Sequence, residues 1–473
     1  MHAPVAATQS HADLAPRMNR YSFARATKIV LSSLALAVLV SCSSGGSNSS
    51  TTAQNTTAAA ANAANFSTSV FLGDSLTAGY QSSSLLDVAE VHGWAPLLAT
   101  QAGFPIVQAL IAYPGAPATL LLQSLRPLVI TTAPGITTGR DNFSTQVTDL
   151  AVPGAYLNDI ANTVPAILPS TNQEIITQLV LGFPGLGYGE DDSQATFAIK
   201  ANPTTIFLWA GNNDALVADL TGTPTSMTSV ADFTTQYTAL IKQLTTQTNA
   251  HLVIANIPDV TLVPYLTPAT LLLAEYSAAT GYPVAALSAL FGITSGDLVT
   301  PEGMTEITAI LDGTQTSTLS DAGVLTAAEV TTVQANVTSY NQVIAAQAKV
   351  TNATLVDINA LFTQIATNGL TINGYTGTAS FLGGFFSLDG IHPTNTGYAV
   401  VANTFIDALN ASVKTTIADI PLGPIAAADP LWPPNLVPNA APGVTKPTPK
   451  IIHLSTDSNR RLTEALNANH LHR

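Results

Sequence analysis

The sequence predicts an α/β fold, a parallel sheet flanked by helices. Apolar runs of strand length recur at 69–72 (Ser-Val-Phe-Leu), 204–209 (Thr-Thr-Ile-Phe-Leu-Trp), 252–256 (Leu-Val-Ile-Ala-Asn) and 354–358 (Thr-Leu-Val-Asp-Ile). Segments with apolar residues at helical spacing alternate with them, the pattern of a parallel sheet with crossover helices. The chain has 473 residues, 46% hydrophobic and 9% charged, enough for a sizeable core. In such sheets ligands bind beyond the carboxyl ends of the strands.

The first segment reads as an address. Arg17, Arg20, Arg25 and Lys28 precede an apolar run from 29 to 40. A basic region followed by a short apolar one is an export signal, and the run is short for a permanent membrane span. It ends Leu39-Val40-Ser41-Cys42, which resembles the bacterial lipobox. The resemblance implies cleavage of 1–41 and lipid attached to Cys42. Ser43 in the next position resembles sorting to an outer membrane where the cell has two. A start at Met18 rather than Met1 gives a signal of more ordinary length. Residues 42–65 then form a Ser/Gly/Thr/Asn/Ala-rich tether, whose flexible span is roughly 25 Å.

The folded body is expected at 66–420. Its helix candidates are 231–246, with Phe233, Tyr237, Leu240, Ile241 and Leu244 in helical register, then 326–348 and 396–409. Two stretches break the rhythm and read as insertions, 103–141 and 262–325. They are either walls or a lid over a site, or plain excursions. A glycine-rich loop at 181–189 leads into an acidic turn at 190–192. From 421 to 473 prolines cluster, the composition of an extended tail.

Charge and cysteine count narrow the chemistry. The net charge of −14 argues against nucleic acid as a partner, since phosphate binding needs a basic face. Cys42 is the single cysteine, so an intramolecular disulfide and a cysteine-rich metal site are excluded. The chain has no Gly-x-Ser-x-Gly elbow, no phosphate-binding Gly-x-x-x-x-Gly-Lys loop and no His-Glu-x-x-His zinc motif. Neither a cofactor nor a metal is expected.

The reactive candidates are few. Ser75 follows the first strand in Phe71-Leu72-Gly73-Asp74-Ser75-Leu76. A strand-to-helix turn exposes such a serine at the sheet edge, near N–H groups that favour negative charge. The same residues also suit an ordinary turn with a capping serine. A serine nucleophile needs a base. Of the eight histidines, His392 lies in Ser387-Leu388-Asp389-Gly390-Ile391-His392-Pro393, with a carboxylate three residues before it and a glycine between. Pro393 keeps His392 out of a helix, on a loop. A solvated turn with a capping aspartate fits that stretch as well.

Taken together, the chain resembles the GDSL, or SGNH, hydrolase family of lipases and esterases. Four blocks carry the resemblance in order: Gly73-Asp74-Ser75-Leu76, Val152-Pro153-Gly154-Ala155, Gly211-Asn212-Asn213-Asp214 and Asp389 to His392. It spans about 66 to 411. The family implies a three-layer α/β/α sandwich with a central, mostly parallel, flavodoxin-like sheet. It also implies a triad of Ser75, His392 and Asp389. The oxyanion hole would be the Ser75 N–H, the Gly154 N–H and the Asn213 amide. Asp74 and Asp214 read as structural neighbours. The expected activity is serine-dependent hydrolysis of a lipid, small acyl or glycan ester at the cell envelope. The alternatives are an acetyl esterase acting on glycans, or a non-catalytic glycan-binding lipoprotein on the same scaffold.

Overall fold

A computed structural model describes residues 64–141, 145–183 and 192–436. Four parallel strands form the central sheet: β1 (Ser69–Gly73), β2 (Thr205–Trp209), β3 (His251–Ala255) and β4 (Thr354–Val356), side by side in that order. The registers are regular, with Gly73 opposite Trp209 and Trp209 opposite Ala255. All five residues of β1 and of β2 are buried, because helices cover both faces. Side chains alternate between two cores. Val70, Leu72, Ile206, Leu208, Leu252 and Ile254 pack against the helices Val230–Gln247 and Ala327–Thr351. Phe71, Phe207, Trp209, Val253 and Val356 face the helices Trp94–Ala102 and Asn395–Ser412. This is the expected three-layer sandwich. Stacked rings fill its second core, with Phe71 and Phe207 centroids 4.6 Å apart and Trp94 and Phe405 3.8 Å apart.

Beyond β1 the sheet continues as irregular chain. Phe71 N–H donates to the Thr148 carbonyl, Leu150 N–H to Phe71, and Val152 N–H to Gly73 at 3.2 Å. The stretch leading to Gly154 is therefore laced along the strand that leads to Ser75.

Both insertions are ordered excursions from the sheet. The first holds an antiparallel hairpin, Leu120–Leu125 with Leu128–Thr132. The second builds three helices and a three-stranded sheet of two-residue strands around its own core of Leu287, Phe291, Ile307 and Ile310.

The expected boundary at 420 is corrected. The chain stays packed through Leu436. A helix runs Leu422–Ala428, Asp429 accepts from Thr396 N–H and Oγ1, and Trp432 is 2% exposed against Phe385 and Tyr375. The prolines here sit at turn and helix-start positions, where their fixed φ is accommodated. Cys42, the tether core and residues 437–473 lie outside the described residues, as do 184–191 of the glycine-rich loop and acidic turn.

Candidate active site

Ser75 opens a one-turn helix, Ser75–Ala78, at the carboxyl end of β1. Asp74 caps it: Oδ1 accepts the Leu76 N–H at 3.0 Å, and Oδ2 accepts from Asn212 Nδ2 at 2.9 Å. Gly79, with φ of 76°, ends the turn. A side chain at Gly73 has no room, since a Cβ there would meet the Trp209 carbonyl at 2.5 Å. The close approach of β1 and β2 at their carboxyl ends thus brings the serine block beside the Gly211–Asp214 block.

His392 reaches Ser75 from 317 residues away. Its Nε2 lies 2.8 Å from Ser75 Oγ, and its Nδ1 lies 2.9 Å from Asp389 Oδ2. A carboxylate only accepts, so Nδ1 carries the proton and Nε2 is left to accept from the serine hydroxyl. The Asp389 carboxylate takes further N–H donors from Ile391 and His392, both at 2.9 Å. Burial alone pushes this carboxyl up. The facing His392 charge and these donors more than reverse that, holding it at about 2. Ser75 and His392 are each 7% exposed, which screens the contact from bulk water. The Tyr80 ring covers the imidazole, 4.7 Å between centroids.

The acids beside the blocks are engaged structurally, as expected. Burial raises the Asp74 carboxyl to about 6, opposed by the Asn212 and Leu76 donors and by His392. Asp214 is likewise raised by burial, and accepts from Leu157 N–H and Thr228 Oγ1.

Gly154 and Asn213 stand on the two chain segments that flank the serine turn. Gly154 is exposed with φ of 81°. Asn213 Nδ2 donates to the Ala155 carbonyl at 2.8 Å, tying its segment to the glycine block. An amide nitrogen has two hydrogens, so a second donor remains. The Ser75 N–H belongs to a first helical turn, where N–H groups have no intrahelical partner. Donors of these kinds stabilise an oxygen that gains negative charge. Two other histidines are occupied elsewhere: His92 Nδ1 lies 2.8 Å from the Val88 carbonyl, and His251 Nε2 2.9 Å from Thr354 Oγ1.

One residue of the site gave no sequence signal. Gln194 accepts the Gly73 N–H and donates to the Gly73 carbonyl, both at 2.9 Å, from a buried position on the helix Gln194–Lys200. It satisfies the backbone where β1 turns away toward Ser75.

Residues 70–405 match the family described as GDSL-like Lipase/Acylhydrolase. Among solved structures, similarity extends to a lipase/acylhydrolase from Enterococcus faecalis at 12% identity and a TM-score of 0.31, covering 75% of this chain and 100% of that one. An extracellular lipase from Streptomyces rimosus is similar at 13% identity and 0.33, over 73% and 98%. So is a variant of an acetyl xylan esterase from Geobacillus stearothermophilus, at 13% and 0.32, over 74% and 96%. Among curated proteins none matches the chain.

Proposed function

Because this chain belongs to the GDSL-like lipase/acylhydrolase family, a family of ester hydrolases, we propose that it cleaves carboxylic esters through an acyl-serine intermediate. The observation that carries this reading is the unbroken line from Ser75 Oγ to His392 at 2.8 Å and on to Asp389 at 2.9 Å. Ser75 Oγ attacks the ester carbonyl as its proton passes to His392 Nε2. Asp389 holds the ring in the accepting tautomer and stabilises the imidazolium. The tetrahedral oxyanion is met by the N–H groups of Ser75 and Gly154 and by the Asn213 amide. When the tetrahedral species collapses, the bond to the alkoxy oxygen breaks and the imidazolium proton leaves with the alcohol. Water then attacks the acyl-serine with His392 again as base, freeing the acid and restoring Ser75.

The site sits on a body exported and held at the cell envelope by lipid on Cys42. Support comes from the basic and apolar leader and from the lone cysteine directly behind it. Cys42→Ser should move the protein from the membrane to the soluble fraction; membrane retention of that variant contradicts the anchor.

The activity is tested with p-nitrophenyl esters of increasing chain length, beside acetylated xylan and a lysophospholipid. The expected result is turnover of at least one ester class, absent in Ser75→Ala. A folded parent protein that turns over none of them contradicts the reading.

A further inference from the structure

Residues 81–84 form a tight reverse turn that leads out of the serine segment. Gln81 and Ser84 exchange both backbone hydrogen bonds, each 3.0 Å. Ser82 and Ser83 between them have positive φ, 50° and 60°. Two-residue loops of that kind favour asparagine and glycine. Serine is costly in both places, so surrounding contacts must hold the turn.

Those contacts lead to the acid of the site. The Ser83 N–H donates to Asp389 Oδ2 at 2.7 Å, the same oxygen that lies 2.9 Å from His392 Nδ1. The Ser82 N–H donates to Ser387 Oγ at 2.8 Å, and that hydroxyl donates to Asp389 Oδ1 at 3.2 Å. The Leu388 N–H returns to Ser82 Oγ at 3.3 Å, and Gln81 Nε2 donates to Asn395 Oδ1 at 2.9 Å. The first insertion grips the turn from its other side. Leu120 N–H donates to the Ser82 carbonyl at 2.9 Å, and Leu85 and Ala116 exchange backbone bonds of 3.1 and 2.9 Å.

We propose that the 81–84 turn and Ser387 are a positioning clamp for Asp389, braced by the 103–141 insertion. The inference rests on the functional reading above. Without the clamp only the Ile391 and His392 N–H groups hold Oδ1, and Oδ2 loses the donor that fixes it beside the imidazole, so the carboxylate can turn from the ring. Ser82, Ser83 and Ser387 touch no reacting atom; they act through Asp389. The donor from residue 83 is backbone, so its side chain is dispensable while its conformation is not. Ser387 works through its hydroxyl. The insertion thereby has a task distinct from covering the site.

The test compares four variants with the parent, each first shown to unfold cooperatively. Ser387→Ala should lower kcat by about tenfold, the loss of one charge-assisted hydrogen bond, with KM unchanged. Ser387→Thr should recover most of it. A glycine inserted after Ser83 should lower kcat at least as far, whereas Ser83→Gly should keep kcat and raise Tm. The acid limb of kcat/KM should move to lower pH in Ser387→Ala, because a carboxylate that turns from the imidazole stabilises the imidazolium less. The other ionisable groups about the triad, Asp74 and Tyr80 beside His392 and Tyr398 behind Ser75, are left in place by these changes. An active parent with unchanged kcat and pH profile in both Ser387→Ala and the insertion variant overturns the clamp alone. A parent inactive on every ester overturns the functional reading, and the clamp with it.

Discussion

A Cβ on Gly154 would lie 2.5 Å from Gln173 Oε1, while Gln173 Nε2 donates to the Pro153 carbonyl at 2.8 Å. The glutamine holds the glycine turn from outside, and the glycine leaves it room to do so. Gly154→Ala should therefore lower kcat, through the contact and through the φ of 81° that a side chain resists. Gln173→Ala in that background removes the contact but not the backbone strain. Kinetics of the double variant should recover in part; full recovery would show that the backbone conformation is of no consequence.

The proposed oxyanion role of Asn213 predicts an effect on turnover rather than on binding. Asn213→Ala should cut kcat by roughly 10²–10³ with little change in KM, as removal of one oxyanion donor does. Steady-state kinetics on the best p-nitrophenyl ester decide this. A change confined to KM contradicts the role.

Glu90 makes stability depend on pH. It is 1% exposed, accepts from Leu110 N–H at 2.8 Å and Ile111 N–H at 2.6 Å, and is raised by burial from 4.5 to about 7. A folded pKa above the unfolded one contributes stability that is full below about 4.5 and is lost as pH rises through about 7. Asp74, at about 6, acts in the same direction. Asp389 acts oppositely, but only as pH falls through 3.8 toward about 2. Denaturant unfolding should thus show stability falling between about pH 4.5 and about pH 7, by an amount on the order of 3 kcal/mol for Glu90. Glu90→Gln should flatten part of that slope. An unaltered slope in the variant would contradict the assignment.

Trp432 tests the corrected boundary. It is 2% exposed, and its ring meets Phe385 edge-on at 5.6 Å, just before the loop that carries Asp389. Trp432→Ala should destabilise by about 3–5 kcal/mol, the usual cost of emptying a buried aromatic site. Thermal unfolding checks it; a change within about 0.5 kcal/mol would place 421–436 with an unpacked tail after all.

What was legible in the sequence is what local pattern encodes. β1, β2, β3 and β4 begin and end within two residues of the apolar runs that announced them, because helices cover both faces of the sheet and most of its positions are apolar. Ser75, Asp389 and His392 stood out because their spacing and residue types have few other uses in combination. The missing parts are those whose meaning lies in a distant partner. Gln194 serves Gly73 across 121 residues, and nothing around it in sequence indicates so. Ser82-Ser83 does not read as a hairpin turn, because serine is not what such a turn prefers; tertiary contacts override the local preference. Trp432 was hidden in a proline-rich stretch whose composition alone suggests an extended chain.

The central claim is that Ser75 is a nucleophile activated by His392. A fluorophosphonate probe measures this directly, since it forms a bond only with an activated hydroxyl. Mass spectrometry of the treated protein should find one adduct, on the peptide containing Ser75. Labelling should vanish in Ser75→Ala and slow by orders of magnitude in His392→Ala. A folded, probe-treated parent without an adduct, or an adduct that persists in Ser75→Ala, would contradict the account.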